Sequence, residues 1–437
     1  MIGPKGKSGT VRERISNAAR QGFLAALDIG SHKIACFVAR IEPGKHAAGT
    51  SSLKVVGIGH QPSRGVRNGQ IVDMERVDTA IRAAVDAAER MADVTVRDVI
   101  LNISCGQPHS QTFRVEAQLS GREVQDSDVK RLLNLGRMEA ERPGRVTIHA
   151  SPIAYSLDQT PKVRDPRGMC GERLSASMHS VSVHEASLQN LEMCVERCHL
   201  GIAARVATPY ASGLASLVSD EMELGATVID MGAGTTSIAV FAEGSLVYTD
   251  LVPLGGFSIT SDVARGLSTP LSHAERMKTL YGSALVSPSD DRETVRVPQV
   301  GEEDPDAFSE IPRSHLTGII RPRVEEIFEL VRDRLAAAGA DQVAGRRVVL
   351  TGGASQLSGA REMAQRVLSK QARLGRPIRL HGLAEATNGP AFATTAGLLA
   401  YAQLNPLEAL DSVEPRLPES ASRLPWQRFS QWIKENL

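Results

Sequence analysis

Short apolar runs that end in an aspartate and a glycine-rich turn punctuate this chain. Residues 227–229 lead into Asp230, then Gly232, Ala233, Gly234, Thr235 and Thr236, and the apolar pattern resumes at Ile238, Ala239, Val240 and Phe241. Runs of that length, bounded by turn residues, predict two buried strands joined as a hairpin. Residues 25–40 repeat the theme. Asp28-Ile29-Gly30 matches Asp230-Met231-Gly232, Ile34-Ala35-Cys36-Phe37 matches Ile238 to Phe241, and Ser31, His32 and Lys33 form the turn. In that matching the second loop is two residues longer than the first. Two such hairpins so far apart suggest duplicated halves facing one ligand. A third strand, residues 347–350, runs into Thr351, Gly352, Gly353, Ala354 and Ser355, with a helix from about Gly359.

The remaining elements follow from periodicity and punctuation. A strand at 54–59 and a turn-rich 62–70 precede Asp73, which caps a helix whose apolar face is Val77, Ile81, Ala84, Val85, Ala88 and Met91. Between 94 and 177 the pattern changes to a small α+β insertion. It has a strand at 99–103, a helix capped by Ser127 with Val129, Leu132, Leu133 and Leu135, a strand at 146–150 and a loop at 169–176. Residues 180–183 return to the first sheet, 185–198 are helical, 204–207 form a strand, and 210–219 form a helix connecting the halves. After the second hairpin come strands over 244–254, a turn at Gly255-Gly256 and a helix over 257–267. Ser272-His273-Ala274-Glu275 reads as a capping box opening a helix that stops at Gly282. Residues 287–312, rich in acids, read as an exposed excursion. Pro322 suits the first turn of a helix bearing Val324, Ile327, Val331 and Leu335. Helices over 361–368 and 392–402 complete the body.

The ends differ from this body. Residues 1–22 carry Lys5, Lys7, Arg12, Arg14 and Arg20 against one acid, Glu13, and read as a mobile basic arm. Residues 404–423, with Pro406, Pro415 and Pro418, read as a linker. Then residues 424–437 read LPWQRFSQWIKENL. On a helix, Trp426, Phe429, Trp432, Ile433 and Leu437 share one side, and Gln427, Arg428, Gln431, Lys434 and Glu435 the other. That segment is too short to span a bilayer but suits the headgroup layer, with both tryptophans of the chain at the interface. A helix packed on its own protein or a partner is the alternative.

Composition adds limits. The 437 residues suffice for two to four domains, and 42% apolar content supports buried cores. Zero formal net charge argues against a nucleic-acid protein. Five scattered cysteines argue against a disulfide framework, and Cys194, Cys198 and His199 lack a second pair to complete a metal site. Neither a signal peptide nor a spanning run is evident, which points to the cytoplasm.

Small turn residues let backbone N–H groups approach an anion, threonine hydroxyls add donors, and an aspartate at a strand end suits Mg²⁺ held through water. No Gly-Lys-Ser/Thr follows, so neither hairpin is a P-loop. The three stretches resemble the actin and heat-shock-chaperone ATPase superfamily, the hairpins its two phosphate motifs and Leu350 to Ala354 its adenosine motif. Within it the chain is similar to the FtsA family of bacterial cell-division proteins over about residues 23–403, the tail extending the likeness to Leu437.

That resemblance implies an α/β, actin-like two-lobed ATPase fold of duplicated RNase-H-like halves with an inserted α+β subdomain. Its divisions here are subdomain 1A at 23–93 and 178–208, 1C at 94–177, 2A at 209–268 and 322–403, and 2B at 269–321, with the linker and membrane-targeting helix after them. It implies ATP and Mg as cofactors. Asp28 and Asp230 would hold Mg through water and are the catalytic candidates. Gly30, Ser31, Lys33, Gly232, Gly234, Thr235 and Thr236 would hold phosphates, and Gly352 and Gly353 would face adenosine. Its partners would be the tail of the tubulin-like FtsZ on 2B, other copies in filaments, other division proteins through 1C, and lipid. The expected place is the cytoplasmic face of the inner membrane at the division site. Relatives carry a water-positioning Gln or Glu in the connecting helix. Here none occurs before Glu221, so the expectation is slow hydrolysis at most. A sugar or metabolite kinase of the same superfold, or an adaptor of pilus or secretion machinery, remains the alternative.

Overall fold

A computed structural model describes residues 10–42, 52–301, 308–404, 408 and 410. Its two five-stranded sheets have the same construction. The first runs Gly201–Ala207, Asp98–Ile103, Phe23–Ile29, Lys33–Glu42, Ser52–Pro62. The second runs Ser245–Val252, Thr236–Ala242, Ala226–Met231, Arg347–Thr351, Gln371–Leu374. Each is an antiparallel three-strand meander whose first strand also pairs in parallel with a later strand, beyond which a second parallel strand lies. The first strand of each meander is therefore central and apolar on both faces, as its unbroken hydrophobic run requires.

Register corrects the sequence matching of the hairpins. Asp28 lies opposite Ala35 and Asp230 opposite Ser237, while Gly30 donates to the Lys33 carbonyl and Gly232 to the Thr235 carbonyl. The two turns therefore have equal length, and Lys33 corresponds to Thr235. The apolar match slipped because Thr236 and Ser237 are polar yet buried strand residues.

The insertion is a four-stranded antiparallel sheet, His109–Gln118, Arg173–His184, Arg145–Leu157, Thr160–Val163, covered by the helix Asp126–Ala140. It has its own core of Leu119, Leu132, Leu133, Leu174 and Met178. Its limits differ from 94–177. The strand at 99–103 belongs to the first half, where Asp98–Ile103 pairs with Phe23–Ile29. Residues 169–172 are loop as expected, but 173–176 and the returning strand at 180–183 are parts of the single insert strand Arg173–His184. That strand buries Ser175, His179, Ser180 and Ser182, which disguised it as polar chain.

Other expectations also change. Residues 10–22 are not a free arm. Thr10 and Glu13 form a capping box opening the helix Val11–Ala19, whose Ile15 joins the core under the first sheet. Asp73 does cap Met74–Ala92, but Met91 is exposed and Ala92 is the buried residue. Gln125, not Ser127, stands at the cap position of Asp126–Ala140, where Asp128 accepts its N–H, and Leu135 is largely outside the insert's core. Pro322 lies inside the helix Arg313–Ala337, which starts at Arg313. Ser272 lies inside Leu271–Tyr281, so the capping box does not form there. The excursion contains the hairpin Thr294–Pro298 with Phe308–Pro312, and its Asp290 is fully buried, accepting from the Ser287 N–H. Among the described residues no helix is long and apolar enough to cross a membrane. The amphipathic segment with Trp426, Phe429, Trp432, Ile433 and Leu437 lies outside the described residues.

Candidate functional site

The two hairpins face one cavity of about 460 Å³ between the halves. Asp28, Gly30, Ser31 and Lys33 line it from the first, Asp230, Gly232, Gly234 and Thr235 from the second, and Gly352 and Gly353 from the third strand's turn. Thr236 is the exception among the sequence-selected residues. Its hydroxyl donates to the Leu254 carbonyl, because alternation along the strand turns it away from the cavity.

Both aspartates are buried at the ends of central strands. Asp28 accepts from the Thr395 hydroxyl at 3.0 Å, and Asp230 accepts from Thr394 at 2.9 Å and from Ser212. Burial pushes the Asp28 carboxyl up to about 6, against the pull of Lys33 and Thr395, and the nearby Asp230 adds to the rise. Burial likewise raises Asp230. It lowers the Lys33 ammonium to about 8, opposed by the two carboxylates. Lys33 lies 3.4 Å over the Phe392 ring and donates to the Ala391 carbonyl. Two carboxylates against one lysine leave negative charge in a low-dielectric cleft, which a divalent cation would relieve. No cluster of three or more metal-ligating side chains occurs among the described residues. The pair fits a cation that keeps most of its waters rather than a protein cage.

The third turn also fits a flat group. Gly352 has φ +80°, and a Cβ there would sit 2.5 Å from Asp230 Oδ1, so a side chain is excluded. A Cβ on Gly353 would meet nothing within 4 Å, so its open face belongs to the cavity. The hairpin tips abut as well, since a Cβ on Gly234 would lie 2.6 Å from Ser31 Oγ.

Several wall residues escaped the sequence reading. Lys278, in the wall with Glu275, donates to that carboxylate at 2.7 Å, to Thr260 at 2.9 Å and to the Gly256 carbonyl at 3.1 Å. Their i,i+3 spacing was the available signal, masked by reading Glu275 as a cap. Asn102 accepts the Ile29 N–H at 2.7 Å and donates to Thr208 at 3.2 Å. Thr208 opens the connecting helix Thr208–Ser216 and lines the cavity, and that helix carries no Gln or Glu. Ser212, Thr394 and Thr395 were visible only as polar residues inside apolar helices.

The sequence comparisons agree with this geometry. The family model "Cell division protein FtsA" matches residues 227–397, and "SHS2 domain inserted in FTSA" matches residues 105–182. A cell division protein FtsA of Rhizobium meliloti (strain 1021) is 44% identical over 421 residues, covering 95% of each chain. That of Escherichia coli (strain K12) is 32% identical over 426 residues, covering 96% of this chain and 99% of the relative. Among solved structures, the PilM-PilN type IV pilus biogenesis complex aligns with TM-score 0.59 at 16% identity, over 90% of this chain and 99% of that one. MreB 5 of Spiroplasma citri bound to AMPPNP aligns with TM-score 0.51 at 12% identity, over 95% and 99%. These distant likenesses establish the actin-like fold. The close relatives, similar over nearly their whole length, establish more: this chain belongs to the FtsA family of cell-division proteins.

Proposed function

We propose that this cell-division protein binds ATP with Mg²⁺ between its halves and tethers FtsZ filaments to the inner face of the cytoplasmic membrane. The observation that carries the nucleotide reading is the duplicated hairpin, which sets Asp28 and Asp230 on opposite walls of one cavity above glycine turns. The N–H groups around Gly30 to Lys33 and Gly232 to Thr235 would take phosphate oxygens, with Thr235 adding a hydroxyl. Asp28 and Asp230 would hold the cation's waters. Gly352 and Gly353 would lie along the adenosine, with Glu275 and Lys278 at its polar edge. A bound cation would supply charge neutralisation for the phosphates and for the two carboxylates. Lys33 would leave its seat on Phe392 to reach phosphate, or hold the end of the cleft from where it lies.

Hydrolysis would be slow. The connecting helix offers no Gln or Glu to the cleft, and its Thr208 and the neighbouring Asn102 already share a hydrogen bond. Neither is a strong base, so the nucleotide would act chiefly as a conformational and assembly ligand. The C-terminal segment, with its two tryptophans, would lie in the lipid headgroup layer. One short helix binds weakly, so stable attachment would need several copies in a filament. The domain with the hairpin Thr294–Pro298 and Phe308–Pro312 would take the FtsZ tail, and the insertion would contact other copies and other division proteins.

Two experiments test these readings separately. ATP titration with and without Mg²⁺ should show tight, cation-dependent binding that is lost in Asp230→Ala. Absence of binding to the wild type rejects the nucleotide reading. Anionic vesicles should pellet the full chain and, through it, purified FtsZ. A chain lacking residues 424–437 should stay in the supernatant, and equal pelleting by both rejects the tether.

A further inference from the structure

A carboxylate is buried just beyond the last helix, where the sequence reads only as linker. Glu408 is 2% exposed. Its Oε1 accepts from His149 Nδ1 at 2.8 Å and from the Tyr401 hydroxyl at 2.9 Å. His149 belongs to the insert strand Arg145–Leu157, and its Nε2 accepts the Ala207 N–H at 2.9 Å. A ring nitrogen that accepts a backbone N–H carries no proton, so the ring's proton sits on Nδ1, aimed at Glu408. Tyr210 packs edge-on against the same imidazole at 5.1 Å, and Leu410 packs against the insert's own core. No lysine or arginine lies within ion-pair distance of Glu408 among the described residues.

Burying a carboxylate without a cation is costly unless its partners are placed for it. Here its two partners come from the insert and from the last helix Ala393–Leu404, and His149 is itself held by the residue before the connecting helix. The socket is therefore specific for the segment that carries Glu408. The last helix reaches the cleft at its other end, and the connecting helix touches both places along its first turns, Tyr210 against His149 and Thr208 in the cavity wall. Thr394 and Thr395 bond to Asp230 and Asp28, and Ser212 bonds to Asp230. The two helices lie against each other so closely that a Cβ on Gly397 would come 1.8 Å from the Ala211 carbonyl oxygen. With no slack at that crossing, a shift at the aspartates would be carried along the last helix from Thr394 and Thr395 to Tyr401.

We infer that Glu408 is a latch: seated between His149 and Tyr401, it fixes the root of the C-terminal segment on the insertion, and its hold is coupled to occupancy of the cleft through the paired helices Thr208–Ser216 and Ala393–Leu404. The coupling rests on the nucleotide reading above; the latch itself does not. By linkage, whatever the nucleotide does to the latch, the latch does to nucleotide affinity.

Amide hydrogen exchange on the full chain tests it, read over residues 146–151 and 399–404. Glu408→Ala should raise exchange there by about tenfold or more, since a charged hydrogen-bonding group is lost from a buried site. Tyr401→Phe, which keeps the packing, should raise it by a smaller factor. Glu408→Gln, which keeps the acceptor oxygen, should stay within about twofold of the wild type. Adding ATP and Mg²⁺ should change exchange at these amides in the wild type and not in Glu408→Ala. Exchange in Glu408→Ala and Tyr401→Phe indistinguishable from wild type overturns the latch. A nucleotide effect that survives in Glu408→Ala, or its absence in a wild type that binds ATP by titration, overturns the coupling. A wild type that fails to bind ATP overturns the nucleotide reading and the coupling with it, while the unliganded variants still decide the latch.

Discussion

Asp28→Asn should make the nucleotide-free protein more stable and the nucleotide-bound protein weaker. The folded chain holds the Asp28 carboxyl at about 6, raised from 3.8 chiefly by burial. The native state therefore binds a proton more readily than the unfolded chain between those values. Stability consequently falls as pH rises through that window, and above pH 6 the full cost of ionising a buried acid is present. A shift of about two units corresponds to roughly 3 kcal/mol at pH 7.5, and about 1.6 kcal/mol at pH 5, where the native carboxyl is largely protonated. Asparagine is nearly isosteric, keeps an oxygen for the Thr395 hydroxyl and carries no charge, so it removes that cost. Urea unfolding without nucleotide, at both pH values, should show the variant more stable, with a gain at pH 7.5 about twice that at pH 5. The same variant should bind Mg-ATP at least about tenfold less tightly, through loss of the charge that faces the cation. A variant less stable than wild type at both pH values, or a gain that does not depend on pH, would refute the argument that burial outweighs Lys33 and Thr395 at Asp28.

Other positions give independent checks. Gly397→Ala should cost about 3 kcal/mol or more in urea unfolding, because its methyl group would collide with the Ala211 carbonyl where the two central helices meet. Gly353→Val should leave thermal unfolding within a degree or two of wild type, since nothing stands near that face, yet weaken ATP binding severalfold on titration by filling the cleft. His179, whose Nε2 lies 2.7 Å from the Ser110 hydroxyl, is pushed down to about 3 by burial. The native ring stays neutral where the unfolded one protonates, so wild-type stability should be lost as pH falls below 6.5, by about 2 kcal/mol at pH 5. His179→Gln should lack that contribution, so the stability gap between the proteins should narrow by the same amount from pH 7.5 to pH 5 in urea unfolding.

Several parts of this protein were legible in the sequence because they are local. A buried central strand needs an unbroken apolar run, a tight turn beside a ligand needs glycine, and a duplicated pattern marks duplicated halves. Those requirements exposed both hairpins, the third glycine turn and the cavity residues from Asp28 to Gly353, with Thr236 the one turned away. The tertiary structure decided what happens to buried polar residues, because their partners come from far along the chain and leave no periodic trace. Thr236 and Ser237 are strand residues whose polarity hid the true hairpin register. Ser175, His179 and Ser182 of Arg173–His184 find partners inside the insertion and its seams, so the first part of that strand resembled a loop and the rest a separate strand. Thr394, Thr395 and Ser212 became site residues only when two helices were brought against the aspartates. Glu408 shows the same effect at its strongest: an acid in a proline-bearing stretch reads as solvated until folding places an imidazole and a phenol around it.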